Sequence, residues 1–288
     1  MKLHLLTLIT SVLAFSTTTQ GQNLFEADSG GGTVYEYTPG GVQSAFASGL
    51  NEPSGLVFNG AGNLFQTDYG SGSIYEYTPG GVQSTFATGL SAPAGLAFNS
   101  AGNLFAADYH TGNIYEFTPG GVQSTFASGL AEPNGLAFNS AGNLFVADSI
   151  TGDIYKYTSG GVQSIFASGL ATPTDLAFNS AGVLFEADYS SGNIYEFTPG
   201  GVRSTFASGV QGAEGLAFDS AGNLFAAAFN AGPGSGSIYK FTPGGVQSTF
   251  ASGLTYPEGL AFQPVPEPSS WATLVVGSLA LLSLRRKA

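Results

Sequence analysis

The chain has 288 residues, a formal net charge of −12, 9% charged and 13% aromatic residues, 43 Gly, 14 Pro and no Cys. Lack of cysteine excludes disulfides, thiolate metal sites and cysteine nucleophiles, while the wealth of Phe, Tyr, Leu and Val excludes a disordered chain. So acidic a chain argues against nucleic acid or an anionic membrane surface as partner, and its glycines suit many short strands joined by tight turns.

At the N-terminus, Lys2, the apolar stretch from Leu3 to Phe15 and the residues Thr19-Gln20-Gly21 read as a signal peptide over residues 1–21. Export is the expectation that follows.

From residue 22 to 263 the sequence repeats itself. The motif NLF or its near copy begins at Asn23, Asn63, Asn103, Asn143, Val183 and Asn223, each 40 residues after the last. IYEF and its variants begin at Val34, Ile74, Ile114, Ile154, Ile194 and Ile238; the last interval is 44, because four residues are inserted within Phe229 to Ser237. GLAF and its variants begin at Gly55, Gly95, Gly135, Asp175, Gly215 and Gly259. Each repeat reads as four strands, exemplified by 95–98, 103–108, 113–118 and 122–128, with NSAG, YHTG and TPGG supplying turn chemistry between them. Four short antiparallel strands every forty residues are the signature of a propeller blade. The expected fold is therefore an all-β, six-bladed β-propeller with GLAF as the innermost strand. The repeat starts on its second strand, near Asn23, and ends on its first, Gly259 to Phe262. The C-terminal strand is thus expected to complete the N-terminal blade and close the ring, leaving no free inner edge.

Antiparallel order places NSAG and TPGG on one face of the disc, and the YHTG loops with the SGLxxP connectors on the other. Only the second set varies appreciably among copies, which makes Tyr69, Tyr109, His110, Tyr189, Phe229 and Tyr256 the candidate binding face. The residues just before GLAF, namely Ser54, Ala94, Asn134, Thr174, Glu214 and Glu258, are expected to ring the channel mouth on that face. Asp28, Asp68, Asp108, Asp148 and Asp188 end the second strand in five copies, with Ala228 in the sixth, and are expected to accept backbone N–H bonds at the turn. No catalytic residue is assigned: His110 is a lone loop histidine without a GxSxG elbow, and the glycines are turn glycines rather than a phosphate loop. Glu214 and Glu258 are neighbours in the ring, which leaves a glycosidase-type carboxylate pair open.

The pattern P-x-G-L-A-F, G-N-L-F-x-A-D, G-x-I-Y-x-F resembles NHL-type repeats and the senescence-marker/gluconolactonase propellers. The resemblance implies the fold but not the activity, since propellers host binding modules and enzymes alike. In gluconolactonase-like members, residues at such channel-mouth positions hold a catalytic divalent cation. Carried over, the resemblance makes Asn134, Glu214 and Glu258 the oxygen ligands of a metal such as calcium, with Ala94 and Thr174 interrupting the set.

In the last segment, 264–288, Pro266-Glu267-Pro268 precedes a 14-residue apolar run, Trp271 to Leu284, and the basic cluster Arg285-Arg286-Lys287. The run is short for a stable span of roughly 20 residues, and the cluster fits retention on the cytoplasmic side. These three parts in this order resemble the PEP-CTERM sorting signal. That resemblance implies recognition by exosortase-type machinery and a transient membrane anchor through the hydrophobic segment, read as a transmembrane helix. Between residues 22 and 264, three basic against eighteen acidic residues leave a net charge of −15. The expected protein is an exported, cell-surface or extracellular monomer, touching the membrane only through its tail. It acts as a binding or scaffold module for glycan, protein or cation in the envelope or exopolysaccharide matrix, and requires no cofactor. A divalent-metal-dependent lactonase-like hydrolase and a purely structural matrix protein are the alternatives.

Overall fold

The computed structural model describes residues 21–230, 232 and 234–265. The expected signal peptide and the apolar run read as a transmembrane helix lie outside the described residues; among those described, no helix is long and apolar enough to cross a membrane.

The first blade contains β1 (Leu24–Asp28), β2 (Thr33–Tyr37) and β3 (Gln43–Ser48); the second contains β4 (Pro53–Phe58), β5 (Leu64–Asp68), β6 (Ser73–Tyr77) and β7 (Gln83–Ala87). The third is β8 (Pro93–Phe98), β9 (Leu104–Asp108), β10 (Asn113–Phe117) and β11 (Gln123–Ala127), and the fourth is β12 (Pro133–Phe138), β13 (Leu144–Asp148), β14 (Asp153–Tyr157) and β15 (Gln163–Ala167). The fifth is β16 (Pro173–Phe178), β17 (Leu184–Asp188), β18 (Asn193–Phe197) and β19 (Arg203–Ser208). The sixth is β20 (Ala213–Phe218), β21 (Leu224–Ala228), β22 (Gly236–Phe241) and β23 (Gln247–Leu254), and the last strand is β24 (Pro257–Phe262). These form six four-stranded antiparallel sheets, and β24 joins the first as its innermost strand, pairing Phe262 with Leu24 and Pro257 with Asp28. The expected six blades and the expected closure are both present.

Strand boundaries differ slightly from the expected ones. The GLAF strand starts two residues early, at Pro93, because a β-bulge lies between the Pro93–Asp108 and Leu96–Ala106 pairs; most of the other innermost strands repeat it. A bulge puts two residues opposite one and re-aims a side chain. The residues preceding GLAF lie beside it and line the channel mouth.

The second strand of every blade is buried along its whole length. Each lies between two neighbouring blades, so both faces are covered and most of its side chains are apolar. On one face, the Phe of NLF stands edge-on between the outer-strand Phe of its own blade and the GLAF Phe of the next. Phe105 meets Phe126 at 5.1 Å and Phe138 at 5.0 Å between centroids, and Phe225 closes the ring onto Phe262 at 4.9 Å. Such edge-to-face pairs contribute roughly 0.5–1.5 kcal/mol each beyond their buried area.

Nearer the axis the innermost strands approach so closely that side chains have no room. A methyl group on Gly55, Gly95, Gly215 or Gly259 would overlap the backbone carbonyl of Ala94, Asn134, Glu258 or Ser54 in the next blade. In blade five the position is Asp175, whose carboxylate instead accepts the Leu216 N–H across the blade boundary at 2.7 Å.

The recurrent aspartates do more than cap a turn. Asp148 accepts the N–H of Thr151 in its own turn at 3.2 Å and those of Ala131 and Glu132 in the incoming connector at 2.8 and 3.4 Å. Asp28, Asp68, Asp108 and Asp188 clamp the same two segments. Ala228 cannot, and blade six holds its longer loop through Ser235 and Asn230. Removing a buried carboxylate that three part-buried backbone N–H groups donate to leaves those donors to find weaker partners. Asp148→Ala is expected to cost about 2 kcal/mol in urea denaturation, with Asp148→Asn recovering part; an unchanged midpoint would show that the clamp carries no stability.

Candidate functional site

The innermost strands and the connectors of the variable face enclose a cavity of about 530 Å³ at the channel mouth. Of the residues expected to ring it, Ser54, Ala94, Asn134, Thr174, Glu214 and Glu258 all line it, and Tyr69, Tyr109 and Tyr256 form part of its wall. The remaining candidates sit just outside. His110 touches Tyr69 through Nε2 at 3.2 Å from the phenol oxygen, and its ring packs edge-on against both Tyr69 and Tyr109. Phe229 lies over Tyr256 with centroids 4.2 Å apart, and the Tyr256 hydroxyl donates to Tyr189 at 3.4 Å. Tyr189 and Phe229 also line a second recess of about 420 Å³ with Gln211 and Asn230. Different blades thus deliver two aromatic groups, Tyr69 with Tyr109 and His110, and Tyr256 with Tyr189 and Phe229.

The repeat pattern does not single out three acids that belong to the site. Asp175 and Glu52 line the cavity, and Glu132 accepts the Tyr109 hydroxyl. The signal for Asp175 is a break in GLAF, at a position where the other copies keep glycine. Glu52 has a left-handed backbone, φ 57°, a conformation that stores strain for a residue with a Cβ.

The acids repel one another in a poorly solvated site. Burial, then the Glu258 charge, then that of Asp175, hold the Glu214 carboxyl well above the usual carboxylate range, and bonding from Tyr256 opposes the rise without cancelling it. Burial pushes Glu258 up to about 7 against hydrogen bonds from Ser54 and Ser29. Asp175 is pushed up to about 7 by burial as well, against its bonds to backbone N–H groups. Perturbed carboxyls converging on a concave site make the channel mouth the candidate functional site.

As a cation site the ring is incomplete. Asn134, Glu214 and Glu258 offer oxygens to the same cavity, but Ala94 offers none, and the Thr174 hydroxyl is engaged by the Ala187 and Ala213 carbonyls at 2.9 and 2.8 Å. Among the described residues no three His, Asp or Glu side chains are placed to hold a metal ion.

Residues 264–287 match the family described as PEP-CTERM protein-sorting motif. No curated protein matches the chain. Solved structures share the fold at low identity. A chain of a nidogen/laminin complex is 20% identical, with TM-score 0.75 over 85% of this chain and 99% of that one. A virginiamycin B lyase from Staphylococcus aureus, catalytically inactive and solved with quinupristin, is 14% identical, with TM-score 0.64 over 85% and 94%. A gluconolactonase from Xanthomonas campestris is 19% identical, with TM-score 0.66 over 72% and 79%. This chain is a six-bladed β-propeller that shares its fold with these structures, followed by a PEP-CTERM sorting motif, the mark of a protein exported and handled by exosortase machinery.

Proposed function

We propose that the propeller is a non-enzymatic binding module of the envelope or its exopolysaccharide matrix, taking a glycan segment at the channel mouth. The observation that carries this reading is the coincidence, at the channel mouth, of repeat-to-repeat variation, a sugar-sized cavity and a tyrosine wall. Tyrosine rings offer flat apolar faces to the C–H side of a sugar, and the carboxylates and Asn134 offer acceptors to its hydroxyls. The sorting motif supports this location, since it marks a protein exported through the envelope. Titration of the purified protein with exopolysaccharide should show saturable binding, weakened at least tenfold in the Tyr69→Ala/Tyr109→Ala/Tyr256→Ala variant; equal affinity of that variant would sink the proposal.

A divalent-metal-dependent lactonase-like hydrolase is the second reading, favoured by the Glu214 and Glu258 pair with its raised protonation range. Asn134, Glu214 and Glu258 would hold the cation, which would polarise a substrate carbonyl. Calcium titration monitored by melting temperature separates the two readings. Stabilisation that disappears in Glu214→Ala/Glu258→Ala favours the hydrolase, and no shift at millimolar calcium removes it.

A further inference from the structure

We infer that the group held at the centre of the cavity is an organic ammonium, and that the glycan is an amine-bearing one built of deacetylated hexosamine units. This rests on the binding-module reading above and names its ligand class.

The cavity lining contains Glu52, Asp175, Glu214 and Glu258 and not one Lys, Arg or His. The bases of the propeller are spent elsewhere: Lys156, Arg203 and Lys240 lie over the rings of Phe145, Tyr195 and Phe225 on the flanks of blades four to six. The acids at the mouth therefore have no internal counter-charge and hold their protons to higher pH; a neutral sugar would leave them so, whereas an ammonium supplies the missing charge and favours their ionised form. Tyr69, Tyr109 and Tyr256 stand around the same space, and the face of a tyrosine ring attracts a cation. Acids and aromatic rings around one concave space recognise an ammonium by charge and by quadrupole together.

The layout favours an organic cation over a compact metal ion. The four carboxylates come from blades two, five, six and one, and among the described residues no three such side chains converge as metal ligands would. A hexosamine presents its ammonium on a ring wide enough to reach across that spread, and about 530 Å³ admits it.

Isothermal titration of the purified protein at pH 7 and low salt, with hexamers of β-1,4-linked glucosamine, N-acetylglucosamine and glucose and with a lysine hexapeptide, tests this. The glucosamine hexamer should bind at least tenfold more tightly than the other three, lose about tenfold in Glu214→Gln/Glu258→Gln, and weaken with added salt. Equal binding of the acetylated or glucose hexamer would overturn the ammonium inference while leaving the binding module intact. Equal binding of the lysine peptide would overturn the glycan as its source, and binding of none would overturn both readings. The wild-type ligand series decides the question by itself should the double variant fail to fold.

Discussion

Gly215→Ala is expected to cost about 3 kcal/mol or more, lowering the melting temperature of the propeller by about 6–12 °C, whereas Gly60→Ala should be nearly silent. The added methyl would overlap the backbone carbonyl of Glu258, which belongs to the innermost strand of the next blade. A flexible side chain can rotate away from such a collision; a carbonyl fixed in a sheet cannot. Relief requires blades six and one to separate, and in a closed ring every other interface must then adjust. Gly60 provides the contrast, because it lies in an exposed turn where an added methyl would meet nothing within 4 Å, and its counterparts are Ser100, Ser140, Ser180 and Ser220. Thermal melts of the two variants side by side check the claim, and equal melting temperatures would refute the steric account of the axis.

Replacing Glu26 and Glu186 together by valine is expected to stabilise the protein by about 3 kcal/mol or more at pH 7, and by less near pH 4.5. Both carboxyls are fully buried and neither oxygen of either has a hydrogen-bond partner. An unsatisfied buried polar group costs about 1–3 kcal/mol, and other blades place Ala106, Val146 and Ala226 at the same point. Burial above all, then the Asp28 and Glu258 charges, hold Glu26 well above its ordinary 4.5; burial and Asp188 do the same for Glu186 against the opposing charge of Arg203. The folded protein therefore keeps two protons that the unfolded chain releases above about pH 4.5. The stability they confer is complete below that pH and is lost as pH rises toward their folded range, by about 1.4 kcal/mol per pH unit for each. Asp175, Glu214 and Glu258 are raised as well and act in the same sense, so the valine variant should flatten the decline without abolishing it. Urea denaturation of both proteins at pH 5 and pH 8 measures it; a gain independent of pH, or none, would contradict the assignment.

Much of this architecture is legible in the amino-acid order itself, because a forty-residue period leaves few ways to bury Leu24, Phe25 and their copies. The phase of the period announces the closing strand, Pro257 to Phe262. The channel mouth is legible for the same reason: positions before GLAF recur, so their side chains share a level in the ring. What stays hidden depends on contacts between blades. Asp175 shows in the sequence as an exception, but only the distance to Leu216 reveals why an acid is tolerated where other copies need glycine. Glu26 and Glu186 look like exposed members of an alternating strand, and become fully buried because both faces of that strand are covered. The stacking of Phe229 on Tyr256 joins the inserted loop of blade six to the last connector, a meeting that no local pattern encodes.

The strand that closes the ring also sets where the chain leaves the propeller. β24 begins beside Glu258 at the cavity, runs the depth of the disc next to the axis and ends at Phe262 on the far face, and the sorting motif starts at residue 264. The chain therefore leaves the propeller toward the sorting motif close to the axis and on the face opposite the cavity. Tension along that segment pulls β24 lengthwise against β1, loading the pairs from Phe262–Leu24 to Pro257–Asp28 together in shear instead of peeling them one at a time. Pull on the chain beyond Phe262 thus meets the latch of the ring in the direction in which a β-ladder yields last.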